Sequence, residues 1–171
     1  YNGTSWTETG DLSTARYSMA NAGASNADAL SSGGFDGGPD AGVEEFTGPG
    51  APVGAWSTGG ALNTARHSLA GAGTQTAALG FGGDTPPVSA LTESYDGTSW
   101  TEVNDLNQAR AQLAGAGTQT SAIAAAGSTN PAVPTNVTSN ETWNGTSWTE
   151  EGDLNTARSM LAGAGTNSES A

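Results

Sequence analysis

Arginine supplies the whole cationic complement of this 171-residue chain, which has four Lys or Arg residues in total. Each arginine stands ten residues after a tryptophan. The pairs are Trp6 and Arg16, Trp56 and Arg66, Trp100 and Arg110, and Trp148 and Arg158. Guanidinium groups bind carboxylates through parallel N–H donors, so a convergent set could hold an anionic ligand. A ligand site would need such an arginine in one place, whereas every copy of this repeated pattern contains one. We therefore expect a structural role for the arginines, with Glu44, Glu93 and Glu141 as their partners.

The tryptophans follow the same rule. Because they recur at one position of the repeat, we expect all four to pack between neighbouring repeats. Tryptophan also stacks on sugar rings, so a glycan-binding role is the alternative.

Few other residues could support catalysis. His67 is the only histidine, and its equivalents in the other copies are Tyr17, Ala111 and Ser159. A Ser-His-Asp triad needs a histidine beside a serine in a cleft, and no pattern marks one. Cysteine is absent, which excludes disulfides, thiol catalysis and zinc–thiolate sites. We expect no catalytic residue, no cofactor and no metal site.

The chain is strongly acidic, with a formal net charge of −13. Such a surface repels nucleic-acid phosphates, which are bound through cationic contacts. No apolar run approaches the roughly 20 residues of a membrane-spanning helix. Asp36, Asp40 and Asp84 lie in glycine-rich loops and could offer oxygens to calcium, but no full ligand series is present. We expect solvated acidic loops, no nucleic-acid partner and no membrane insertion.

The arginines are 50, 44 and 48 residues apart, a period typical of stacked supersecondary units. The strands predicted in the cleanest copy are 67–73, 77–83, 88–95 and 99–102. Asp96-Gly97 favours a tight hairpin turn between the last two, because both residues tolerate positive φ. Four short antiparallel strands per repeat predict the blade of an all-β propeller. The alanine-rich segment Ile123–Ala126 is predicted as a strand, because the repeat context should override its helical propensity.

The predicted domain is one repeat array with three full blades between two partial ones. Its segments are 1–15, 16–65, 66–109, 110–157 and 158–171. The partial ends leave three arrangements open: a window of a longer array, closure within one chain, or strands shared between chains in a homo-oligomer or fibre.

This pattern resembles the Kelch repeat, which has a double glycine, a glutamate two residues before an aromatic residue, a tryptophan and an arginine. One copy has Gly82-Gly83, Glu93, Tyr95, Trp100 and Arg110. The preceding copy has Gly33-Gly34, Glu44, Phe46, Trp56 and Arg66. The following copy has Glu141, Trp143, Trp148 and Arg158, with Ala126-Gly127 in place of the double glycine. The Asp-Gly-Thr-Ser-Trp motif also looks like a shortened sialidase Asp-box, which implies a structural turn.

The repeat sequences are similar to those of Kelch-like arrays in proteins of marine phages. That resemblance implies a structural or adhesion module without enzymatic activity, in a secreted or tail-fibre-like protein at the cell exterior or virion surface. Its expected partner is a protein or glycan receptor. Two alternatives remain: a carbohydrate-active propeller enzyme of the sialidase type, and a protein-binding Kelch adaptor.

The copies differ most in Ser32–Gly54 and Asn130–Asn140, and next in Asp84–Ala90. The variable loops in these segments are Phe35–Pro52, Asp84–Val88 and Thr129–Val137, each predicted to join a second strand to a third. Loops on a rigid scaffold commonly carry recognition. We therefore expect these three loops to form one binding face. The candidate contacts are Phe35, Asp36, Asp40, Asp84, Thr85, Asn130 and Asn136.

Overall fold

A computed structural model describes residues 10–25, 27–48, 55–133 and 135–166. These residues form no helix, and hence none that could cross a membrane. They form three four-stranded antiparallel sheets, in each of which the strands lie in chain order. Sheet 1 contains β1 (Ala20–Ser25), β2 (Asp28–Ser32), β3 (Val43–Thr47) and β4 (Ala55–Thr58). Sheet 2 contains β5 (Ala70–Thr74), β6 (Ala77–Phe81), β7 (Thr92–Tyr95) and β8 (Trp100–Val103). Sheet 3 contains β9 (Ala114–Thr118), β10 (Ser121–Ala125), β11 (Asn140–Trp143) and β12 (Trp148–Glu150).

The first strands of successive sheets lie side by side, β5 against β1 and β9 against β5. Their small residues follow from this packing. A Cβ added to Gly71 would lie 2.9 Å from the carbonyl oxygen of Asn21, and one added to Gly115 would lie 2.7 Å from that of Gly71. Both distances are too short for a real Cβ, so glycine is required where the two backbones touch.

The last two strands of each sheet form a hairpin with facing aromatic residues. Tyr95 pairs with Trp100 in the register of β7 and β8, and their rings stack 4.9 Å apart. Asp96 Oδ1 accepts hydrogen bonds from the backbone N–H groups of Ser99 at 2.8 Å and Thr98 at 2.9 Å. These bonds lower the pKa of Asp96, and Gly97 supplies the positive φ of the turn, 91°. The predicted turn is confirmed.

The core is divided between the sheets, as expected for a repeat array. One cluster joins Leu30 and Val43 of sheet 1 to Trp100 of sheet 2. The other joins Phe81 of sheet 2 to Trp148 of sheet 3. Each sheet therefore buries its apolar side chains against the next sheet rather than in one common core.

The strand bounds correct several sequence predictions. The second strand ends at Phe81 rather than at 83, before the glycine pair. The first strand begins at Ala70 rather than at 67, because Ser68 has a left-handed backbone with φ of 55°. The third strand begins at Thr92 rather than at 88.

The segment Phe35–Pro52 is not one loop. It contains β3, Val43–Thr47, so only residues 33–42 join the second strand of sheet 1 to its third. Residues 49–52 of the predicted loop lie outside the described part of the chain.

The alanine-rich segment is a strand, as predicted. β10 spans Ser121–Ala125 and pairs with both β9 and β11. Ala126 then adopts a φ of 57°, close to the 66° of Gly82 at the equivalent position. The replacement of the first glycine therefore preserves the local backbone geometry.

Candidate functional site

One edge of the three sheets carries a loop of repeated construction. In each unit, the residue after the arginine forms an isolated β-bridge with the residue after the glycine pair, and that residue bridges onward to the far end of the loop. The bridged sets are Tyr17, Phe35 and Pro39; His67, Asp84 and Val88; and Ala111, Ser128 and Asn136. One bridge joins each loop to the segment that follows the arginine, and the other closes the loop on itself, so the backbone at these positions is constrained.

Three of these bridged residues form a row of aromatic rings. The rings of Tyr17 and Phe35 are 5.4 Å apart, and those of Phe35 and His67 are 5.1 Å apart with edge-to-face geometry. Tyr17 is 63% exposed, and the other two rings are half-buried. The Phe35–His67 contact joins the loops of two units, so the row runs across the boundary between sheets 1 and 2.

Acidic and hydroxyl side chains flank this row. Asp36 follows Phe35 in the chain and is exposed, whereas Asp84 and Thr85 are half-buried. The backbone of Asp84 bonds that of His67, with nitrogen–oxygen distances of 2.8 and 3.2 Å. Thr85 Oγ1 donates to the carbonyl of Pro87 at 2.8 Å. The predicted contacts Phe35, Asp36 and Asp84 therefore meet at one edge, with Tyr17 and His67 added by the structure.

Asp40, another of the predicted contacts, has partners within the protein. Its Oδ2 pairs with Arg16 Nη1 at 2.8 Å, and its Oδ1 accepts the N–H of Gly42 at 2.8 Å. Burial opposes ionisation of this carboxyl, but the Gly42 and Arg16 hydrogen bonds outweigh it and lower the pKa of Asp40. The side chain holds the loop together from within.

The third loop carries amide side chains in place of aromatic ones. Asn130 Oδ1 accepts the N–H of Val133 at 3.2 Å, which closes a local turn. Asn136 is exposed and bridges Ser128. Because Ala111 stands where Tyr17 and His67 stand, the aromatic row does not extend to this unit.

A cavity lies next to the aromatic row, at the residues that follow Tyr17, His67, Ala111 and Ser159 in the chain. Its lining residues come from four copies of the repeat: Ser18, Met19, Ser68, Leu69, Gln112, Leu113 and Met160. Ser18, Ser68, Gln112 and Met160 have left-handed φ values of 57°, 55°, 58° and 56°. Sequence reasoning missed these positions, since their residue types vary; their fixed place two residues after the arginine was the available signal.

His67 Nδ1 and Ser68 Oγ share a hydrogen bond of 3.1 Å, which fixes the histidine ring beside Phe35. Within the described ranges, no group of three or more His, Cys, Asp or Glu residues could hold a metal ion.

Three of the four arginines pair with the glutamates that the sequence predicts. Arg16, Arg66 and Arg110 form ion pairs with Glu44, Glu93 and Glu141 respectively. Arg66 also donates to the carbonyl groups of Gly82 and Leu91. Burial lowers the pKa of Arg66, and the Glu93 carboxylate opposes that shift. Arg158 differs from the other three because its side chain is exposed.

Each arginine segment connects two units. The backbone N–H of Arg110 donates to Ser89 in the preceding unit, at 3.2 Å. Its side chain instead enters the following unit, where it meets Glu141 and the carbonyl of Ala124. Asn107 N and Nδ2 donate to Glu141 Oε2 at 2.7 and 2.9 Å. Asn63 binds Glu93 in the same way. Sequence reasoning missed these asparagines, although the repeated Leu-Asn before Ala-Arg marked them.

The tryptophans have different environments. Trp100 and Trp148 are buried between sheets, at 5% and 6% exposure. Trp56 is half-buried on the outer side of sheet 1, beside Phe46. Trp6 lies outside the described residues.

Comparison with known proteins adds no relative. No protein-family model matches the chain, and a search of curated proteins finds no significant match.

Proposed function

We propose that this chain is a non-enzymatic binding module, a segment of a Kelch-like β-propeller belonging to a secreted or virion-surface protein. Three observations support the propeller arrangement: four-stranded sheets repeat in chain order, their first strands lie side by side, and the core is divided between neighbours. Propeller blades have this composition and crowd together at their innermost strands.

The ligand-binding part of the proposal rests mainly on the aromatic row of Tyr17, Phe35 and His67. Exposed rings on fixed backbone lose little conformational entropy on binding, which makes such residues effective contacts. Sugar rings present C–H faces that stack on aromatic side chains and hydroxyl groups that donate to carboxylates. Asp36 and Asp84 provide those acceptors beside the row. A glycan on a surface receptor is therefore the ligand that this edge fits best.

The alternative of a sialidase-like enzyme is disfavoured by the arginines. A converging arginine triad must be free to meet its anionic substrate. Arg16, Arg66 and Arg110 are instead buried in ion pairs, each within a different sheet. No observation specifically favours an intracellular adaptor.

Binding to a glycan array tests the proposal. Tyr17→Ala is the informative variant, because alanine occupies the equivalent position, 111, in the third unit. We expect this variant to keep its melting temperature and to lose at least about tenfold in affinity for any glycan bound by the parent chain, equivalent to about 1.4 kcal/mol. The matched control is Thr98→Ala, an exposed residue in the hairpin at the other end of β7. Equal binding by all three proteins would overturn the site assignment. Turnover of a fluorogenic sialoside would overturn the non-enzymatic one.

A further inference from the structure

The outer face of sheet 3 corresponds to a surface that is covered in sheet 2. Leu79 and Phe81 of sheet 2 are 1% and 0% exposed, because sheet 3 packs on them. Their equivalents in sheet 3 are Ile123 and Ala125. Both are only half-buried, and they line an open apolar groove together with Leu154.

An unpaired polar atom lies in this groove. Thr92 Oγ1 on sheet 2 accepts the indole N–H of Trp148, a residue of the next sheet, at 3.0 Å. The equivalent residue of sheet 3 is Asn140, which lines the groove. Its Oδ1 is buried and has no hydrogen-bond partner among the described residues. This oxygen stands where a tryptophan N–H of a following sheet would donate.

Among the described residues, the arginine segment after sheet 3 is bonded to the preceding unit only. The backbone N–H of Leu154 donates to Thr138 at 2.9 Å, as that of Leu106 donates to Ala90 at 3.0 Å. The preceding half of the connection is therefore complete. The following half is not, because the Arg158 guanidinium is exposed whereas that of Arg110 is buried against a glutamate.

The place of the next first strand is already filled. Met160 N donates to the carbonyl of Gln112 at 2.9 Å, and Gly117 N donates to that of Gly165 at 3.2 Å. Gly163 lies so close to Gly115 that a Cβ could not fit between the two backbones. A second copy of the chain could not bring its own β1 to this position. Among the described residues, no strand brings a glutamate and a tryptophan to this surface.

We propose that the outer face of sheet 3 is the docking site for strands two to four of a further unit of the same repeat. That unit would bring a carboxylate to Arg158, an indole N–H to Asn140 and an apolar face to Ile123. The proposal does not depend on what the aromatic edge binds. It rests on continuity with two interfaces of the same kind, on the exposure of Arg158, and on the Asn140 oxygen that has no partner among the described residues.

The test supplies such a unit from the chain's own sequence. Residues 167–171 are replaced by a copy of residues 119–157, which contains the second, third and fourth strands with Glu141 and Trp148. We expect the extended chain to unfold in one transition, with an unfolding equilibrium constant at least about tenfold lower than that of the parent. Hydrogen exchange should show protection of the added strands.

Variants made in both chains locate the contact. Arg158→Lys should raise the unfolding constant about tenfold in the extended chain and leave the parent unchanged. Asn140→Val should raise it about threefold to tenfold more in the extended chain than in the parent, because the bond to the added tryptophan is lost only there. The Nδ2 contact with Gly152 is lost in both chains. Arg110→Lys, the matched control, should destabilise both chains.

Three results would overturn the proposal. The first is an added segment that stays unprotected or prevents folding. The second is an Arg158→Lys effect that is equal in the two chains. The third is light scattering that shows the parent chain self-associating through the groove, which would assign the surface to a second copy.

Discussion

Trp148 donates its indole N–H to Thr92 Oγ1 at 3.0 Å across the boundary between sheets 2 and 3. The boundary between sheets 1 and 2 lacks this bond. There Trp100 is the equivalent tryptophan and Val43 the equivalent of Thr92, and the buried Nε1 of Trp100 has no partner among the described residues. The two interfaces thus contain a natural comparison between a satisfied and an unsatisfied indole.

Val43→Thr should stabilise the protein by about 1 kcal/mol, because it supplies an acceptor to the orphan indole at nearly constant volume. Urea denaturation measures the change. Thr92→Val is the reciprocal variant and should destabilise by about 1–3 kcal/mol, because it leaves the indole of Trp148 buried and unpaired. Equal effects of the same sign from both changes would show that the indole bond does not decide stability at this position.

Glu141→Gln should destabilise the protein by about 3 kcal/mol, because it leaves the fully buried Arg110 guanidinium without a counter-charge. The side chains of this pair are 1% and 0% exposed. Arg158→Lys is the control: the side chain is exposed, so the change should stay within about 0.5 kcal/mol. Thermal unfolding of the two variants at neutral pH is the measurement. A smaller loss for Glu141→Gln than for Arg158→Lys would contradict the assigned roles.

Tyr95 should make stability fall at alkaline pH. Burial, together with the hydrogen bond that its phenol donates to Glu45 of sheet 1, raises the pKa of Tyr95 from 10.0 to about 12. The folded state therefore favours the protonated phenol. Its contribution is fully present below the unfolded pKa of 10.0 and is lost as pH rises towards the folded value of about 12.

Urea midpoints measured across this alkaline range test the expectation. Tyr95→Phe removes the titrating group and should show a shallower decline than the parent chain. Parallel declines in the two proteins would exclude Tyr95 as the cause.

Gly115→Ala should destabilise the protein by about 1–3 kcal/mol, because the added methyl group overpacks the contact between β9 and β5. That methyl would lie 2.7 Å from the Gly71 carbonyl oxygen and 2.8 Å from a ring carbon of Phe81. Gly152→Ala is the control, since an added Cβ there meets nothing within 4 Å. Calorimetric melting temperatures compare the two. A neutral Gly115→Ala would mean that the first strands are less closely packed than described.

Much of the fold follows from residue spacing. The repeated tryptophan-to-arginine distance predicts the unit, the glycine and alanine run of β9 predicts a crowded strand, and Asp96-Gly97 predicts a turn. The partner of Arg110 could also be predicted, because a buried guanidinium requires a carboxylate and Glu141 recurs at the right place. The late start of the first strand, after Ser68, could not be predicted, since serine carries no signal for a left-handed backbone.

The candidate site was predicted in part. Variation between copies indicated the loops that contain Phe35, Asp36 and Asp84. It could not show that Tyr17 and His67 lie on either side of Phe35. Tyr17 reaches Phe35 through a bridge within the first unit, and His67 reaches it only when sheets 1 and 2 pack. Sequence variation between the copies also could not distinguish Asp36, which is exposed, from Asp40, which binds Arg16.

The sequence by itself determined the repeat, the strand order and the chemistry available at each repeat position. Tertiary structure decided which copies of a position are buried and which are open. Arg110 and Arg158 share the local context Leu-Asn-x-Ala-Arg, yet one guanidinium is enclosed and the other is exposed. The physical reason is that burial depends on the carboxylate and apolar surface of the next sheet, which a local sequence does not contain.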